Sequence, residues 1–135
     1  MKNDGDFDAK VGPVGERAIA IVAMPADTNP SGDIFGGWIL SQMDIAGGVA
    51  ASRLAEGRTA TVGVKEMEFH KPVSVGDLVS CYTQLQKIGT SSITIKIEAW
   101  ITNRYDKDSL TKVTEGIFTY VAIDENRRPR IVGKN

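Results

Sequence analysis

Between Pro25 and Asp44 a polar, turn-rich loop runs directly into the most apolar segment of the chain, and inside that segment stands one carboxylate, Asp44. A charge in an otherwise apolar helix is costly unless it is paired or used. Upstream, Asn29 offers a donor and an acceptor in one side chain. Gly36-Gly37 then puts bare backbone N–H groups where a helix begins, at the positive end of its dipole. Such amides can bind a developing oxyanion. A carboxylate, an amide side chain and an oxyanion hole are enough to hydrolyse an activated ester. A thioester suits them, because its carbonyl is electrophilic and its leaving thiolate is stable. The structural alternative for Asp44 is capping of a backbone amide or pairing with a buried lysine or arginine.

Other chemistries lack their residues. There is no Gly-x-Ser-x-Gly elbow, no Gly-x-Gly-x-x-Gly and no phosphate-binding Walker loop. His70 is the only histidine, so histidine-based metal sites fail; beside Lys71-Pro72 at a strand end it reads as a rim residue. Cys81 is the only cysteine, which excludes an intramolecular disulfide and a cysteine-based zinc site. It reads as a small packed residue on an inner strand face. No metal or separate cofactor is expected.

The elements that must position these groups follow from pattern. At 135 residues, 41% hydrophobic and a formal net charge of -1, the chain reads as one ordinary globular domain without a basic excess for nucleic acid. Residues 1–15 read as a loose arm, 16–130 as the domain and 131–135 as a tail. The polar N-terminus resembles no signal peptide and no stretch is apolar enough for membrane insertion, so a cytoplasmic protein is expected. Arg17 to Ala23 reads as a strand. From Gly37 to about Ala55 the pattern is helical and apolar around most of its circumference, which predicts an enclosed helix ending at Glu56-Gly57. Gly47 and Gly48 share the face of Asp44 and leave space for another backbone or a ligand beside it.

Strands follow. Thr59 to Phe69 shifts parity midway, predicting a bulge. Val79–Ile88 and Ser92–Asn103 form a hairpin around Gly89-Thr90-Ser91, and Lys112–Asp124 is the last strand. The fold class is therefore α+β, one long central helix wrapped by a curved antiparallel sheet of about five strands. The outer sheet face, with Trp100, Tyr82 and Tyr120 assigned to it, is the expected seat of a partner subunit.

The loop-to-helix stretch also resembles a family. Asp27-Thr-Asn29-x-x-Gly32-Asp33-Ile-Phe35-Gly36-Gly37-Trp38-x-x-x-x-Met43-Asp44 resembles the signature of the YciA-type acyl-CoA thioesterases of the hotdog fold. Matches continue at Gly57-Arg58-x-x-Thr61-Val62, at Phe69-x-Lys71-Pro72-Val73-x-Val75-Gly76-Asp77 and at Gly89-Thr90-Ser91-Ser92. The resemblance runs in one register over roughly residues 17–130; His70 departs from it, where an aliphatic residue is more usual. It implies dimers whose sheets join edge to edge, often as trimers of dimers, with acyl-CoA at the dimer interface. Asp44 would be general base or nucleophile. Asn29, from the other subunit, would position water or substrate, and the Gly37 N–H beside Gly36 would polarise the thioester carbonyl. Coenzyme A, present only as part of substrate and product, would meet Arg58, Thr61, Val62, Lys71, Thr90, Ser91, Ser92 and Arg128 of the Arg127–Arg130 cluster.

Two other functions fit such a fold. A non-catalytic acyl-CoA sensor usually carries an appended DNA-binding segment, for which the arm before Arg17 is too short. A dehydratase or hydratase wants a histidine beside a carboxylate in the central helix, and His70 is not there.

Overall fold

A computed structural model describes residues 12–133. Within them, five strands form one antiparallel sheet: β1 (Glu16–Val22), β2 (Thr59–Phe69), β3 (Leu78–Ile88), β4 (Ser92–Thr102) and β5 (Thr111–Ala122), in the order β1-β3-β4-β5-β2. One long α-helix, α1 (Gly36–Ala55), packs across all five. Its buried stripe, Ile39, Met43, Ala46, Gly47, Ala51 and Ala55, recurs every three to four residues and so lies on one side of the helix. It meets the row Ile93, Ile95, Ile97 and Ala99 of β4, together with Val79 and Cys81 of β3 and Phe118, Tyr120 and Ala122 of β5. Burial pushes the Cys81 thiol up to about 12, as befits a packed, unreactive side chain.

The sheet covers only one side of α1. Ile45 is 54% exposed and Val49 41%, and on the edge strand β2 Val62 is 60% exposed. The enclosed helix expected from its all-round apolar pattern is thus not achieved within one chain. The apolar residues left open belong to a surface that another chain can bury.

The helix end also differs in detail. Glu56, not Gly57, takes the left-handed conformation, with φ 54°. The Glu56 N–H bonds to the Arg53 carbonyl and the Gly57 N–H to the Ser52 carbonyl, the paired closure of a Schellman turn. The conformation falls wherever the helical ladder stops, and the ladder here runs to Ala55. Beyond β5 the chain doubles back, with a bridge between Ile123 and Pro129, and Val132 N–H reaches the Thr90 carbonyl.

The bulge expected in β2 is present twice, at Thr61/Gly63 and at Lys65/Glu68, where Glu66 has φ 56°. The hairpin closes through Gly89 N–H to the Ser92 carbonyl at 2.8 Å. Residues 1–11 of the expected arm, and 134–135 of the expected tail, lie outside the described residues. The described end of the arm is tied down, since Val14 N–H donates to the buried Glu98 carboxylate.

Candidate active site

Asp44 projects from the middle of α1 toward β2 and β5. One of its oxygens, Oδ1, accepts from Thr61 Oγ1 at 2.8 Å and from the Tyr120 hydroxyl at 3.1 Å. Both partners are neutral donors, so the hydrogen bonds fix the carboxylate without pairing it to a cation. Its other oxygen, Oδ2, has no partner among the described residues. Asp44 lines an open cleft of about 570 Å³ shared with Gly48, Ser52, Arg53, Thr59 and Thr61. Arg53 is the only cation among the described residues on that wall.

The two helix glycines separate in role. A Cβ on Gly47 would stand 2.1 Å from the Tyr120 hydroxyl and 2.5 Å from Ile97 Cδ1, so its missing side chain is the space Tyr120 fills. A Cβ on Gly48 would meet nothing within 4 Å, so the opening onto the cleft is there. Gly47→Ala should therefore destabilise the fold by about 1–3 kcal/mol, the usual range for overpacking, and lower activity as well by displacing Tyr120. A thermal melt read beside an activity assay checks this; an unchanged melt would show that the space is not needed.

The other sequence-identified groups gather at the start of α1. Phe35 stands at the N-cap and brings no side-chain acceptor, so the Gly36 and Gly37 N–H groups keep no partner among the described residues. Gly37 is exposed with open space beside its Cα, while a Cβ on Gly36 would stand 3.4 Å from the Phe69 ring. The loop is held by Phe35 N–H to the Asp27 carbonyl and Ile34 N–H to the Val73 carbonyl. Asn29 accepts through Oδ1 from the N–H groups of Ser31 and Asp33 at 2.9 and 3.1 Å, which leaves its amide N–H₂ free to donate outward. Asp44 stands about 12 Å further along the helix axis, at 1.5 Å per residue from Gly36. Within one chain, then, Asn29 and Gly37 sit together and Asp44 sits apart from them.

The cations divide in the same way. Arg58, Thr90, Ser91, Ser92 and Arg128 converge at the end of the sheet beyond the helix C-terminus. There Ile123 N–H bonds to the Arg58 carbonyl, Ala122 N–H to the Ser91 carbonyl and Asp124 N–H to the Arg128 carbonyl. Arg58, Thr90 and Arg128 are exposed, as is Val62 on β2. Lys71 lies at the opposite end, where it lines a cleft of about 310 Å³ with His70, Phe69, Gly36 and Ile39. His70 is an exposed rim residue, as its position suggested. Arg130 leaves the expected basic cluster: its guanidinium donates to the carbonyls of Ile123 and Ala55 and so complements the helix C-terminus.

Sequence reasoning missed Tyr120 as a neighbour of Asp44 and placed it on the outer face. Its ring is buried and stacks on Phe118 with 6.4 Å between centroids. The available signal was Gly47, a helix glycine whose space had to be filled by something. Ser52 and Arg53 were missed as well, although two helical turns from Asp44 return Ser52 to its face.

Residues 31–106 match the thioesterase superfamily. The acyl-CoA thioester hydrolase YciA of Salmonella typhimurium is 49% identical over 120 residues, spanning 87% of this chain and 90% of that protein. The structure of a hexameric thioesterase from Yersinia pestis superposes with a TM-score of 0.87 at 49% identity, covering 92% of this chain and 100% of the other. A hexameric broad specificity acyl-coenzyme A thioesterase, HI0827, superposes at 0.86 with 46% identity, covering 92% and 85%.

Proposed function

The chain belongs to the thioesterase superfamily, among its acyl-CoA thioester hydrolases, and from that premise we propose which atoms carry the reaction and how the site is completed. The overall reaction takes acyl-CoA and water to a free carboxylic acid and CoA. The observation that carries the reading is the asymmetry of Asp44, whose Oδ1 is held by two hydroxyls while Oδ2 has no partner among the described residues. Oδ2 is the reacting oxygen.

Two chemistries use that atom. As a general base, Oδ2 takes a proton from water while the water oxygen attacks the carbonyl carbon, and the tetrahedral oxyanion rests on the Gly37 N–H. Collapse expels the CoA thiolate, which recovers the proton from Asp44. As a nucleophile, Oδ2 attacks the same carbon and the thiolate leaves a mixed anhydride, which water then opens. One turnover in ¹⁸O-water tests for the anhydride. Unlabelled acid with labelled Asp44 marks an anhydride opened at the aspartyl carbonyl; labelled acid with unlabelled Asp44 marks water attacking the acyl carbon, of the thioester or of the anhydride.

The protein acts as an oligomer, and the unit we propose is a dimer joined along the β2 edges, three such dimers making the hexamer. The exposed row of Ile45, Val49 and Val62 supports that joint. So does the separation of Asp44 from Asn29 and Gly37, because an antiparallel neighbour brings the start of its helix to the middle of this one. Asn29, through its free amide, then positions water or the thioester against Asp44 of the other chain, beside Gly36 and Gly37.

The CoA phosphates lie at the Arg58, Thr90, Ser91, Ser92 and Arg128 end, with Thr61 and Val62 along the approach; Lys71 joins them only from another subunit. Among the described residues no helix is long and apolar enough to cross a membrane. A cytoplasmic location agrees with the lone thiol of Cys81. The direct test is release of CoA thiol from a panel of acyl-CoAs. Binding of all of them with turnover of none would overturn the reading.

A further inference from the structure

We infer that Tyr120 is a positioning residue for the hydrolysis, its hydroxyl holding the Asp44 carboxylate in the one orientation that turns Oδ2 to the substrate. The inference rests on Asp44 being the reacting carboxylate.

The Tyr120 hydroxyl lies 3.1 Å from Asp44 Oδ1 and also 3.1 Å from the Asp44 main-chain carbonyl, so one group ties the side chain to its own backbone. A phenol has a single proton, and it goes to the stronger acceptor, the ionised Oδ1. When Asp44 takes up a proton or an acyl group, that acceptor weakens and the carbonyl receives the proton instead. The hydroxyl is therefore never left unsatisfied through a catalytic cycle, which is what a buried group requires.

The ring cannot drift. It is 1% exposed, stacked on Phe118, and its hydroxyl end occupies the space left by Gly47. Burial, and then the charge of and hydrogen bond to Asp44, raise the tyrosine above its usual range, so it stays a donor wherever the carboxylate is ionised. Thr61 approaches the same oxygen from β2, but only Tyr120 also reaches the main chain. Of the described groups lining the Asp44 cleft, Arg53 of the helix is the only other charged one, and β2 contributes only Thr59 and Thr61.

The experiment compares Tyr120→Phe with Asp44→Ala in the assembled protein, after melting and sizing show both folded. Removing a donor from the charged form makes Asp44 easier to protonate. Tyr120→Phe should therefore move the acid limb of the kcat/KM profile up by about one pH unit and lower kcat about tenfold, with KM within about twofold. A second variant with 3-fluorotyrosine at position 120, a more acidic phenol of nearly the same shape, should move the limb the opposite way. A purely structural tyrosine would leave the limb in place in both variants, and that result overturns the inference whatever happens to kcat. If Asp44→Ala itself retains full turnover, the reading of Asp44 fails first; if it is inactive while the limb stays put, only the role of Tyr120 fails.

Discussion

Asp44→Ala is expected to reduce kcat for acyl-CoA hydrolysis by about 10³-fold, within the span for loss of a positioned general base and equivalent to about 4 kcal/mol of barrier. The substitution should leave the fold standing. Asp44 is only partly buried and bears on a cleft, so no core contact is lost. The Tyr120 hydroxyl keeps the main-chain carbonyl of residue 44, which alanine also supplies, and Thr61 faces the open cleft where water can reach it. KM should change little, since Arg58 and Arg128, the cations proposed for the CoA phosphates, lie at the end of the sheet beyond the helix C-terminus. Thiol release with several acyl-CoAs, beside a melt and a sizing run, reads all of this. Turnover within tenfold of the parent would remove Asp44 from the chemistry.

The second large effect is a gain. Asn29→Asp keeps the Oδ1 acceptor that orders the Ser31 and Asp33 amides but removes the outward N–H₂ and adds a negative charge where Asp44 must work. Alone it should lose about 10²-fold in kcat, the lower end for a lost polar catalytic contact. Mixed with Asp44→Ala subunits, dissociated and reassembled, it should recover about a quarter of the parent activity. In a two-fold dimer, half of randomly paired dimers are mixed, and each mixed dimer has one site with both residues intact. Two inactive proteins that stay inactive after demonstrated subunit exchange would show that Asn29 and Asp44 serve the same chain's site.

Much of the fold and of the site is legible in the sequence. The helix, read from Gly37 to Ala55, spans Gly36–Ala55, because apolar spacing and an N-terminal Gly-Gly are local signals. Asp44 is conspicuous for an energetic reason, as a charge set among apolar residues. Tyr120 is not. Both rows of β5 are largely apolar at its end, Phe118, Tyr120 and Ala122 on one and Ile117, Thr119 and Val121 on the other, so alternation alone marks the inward face only weakly. Arg130 is equally opaque, since a solvated arginine and one donating to the Ala55 carbonyl have the same neighbours in sequence.

The chain's own sequence thus determined the kinds of element, the identity of the candidate carboxylate and the Asn29 and Gly37 groups proposed to serve it, each set by local spacing or by the cost of a charge. Tertiary structure decided the rest. Register across the sheet brings Thr61 and Tyr120 onto one oxygen of Asp44, and the helix rise holds Gly37 about 10 Å away along its axis. Those distances are fixed by pairing between segments far apart in the chain, which no local pattern records.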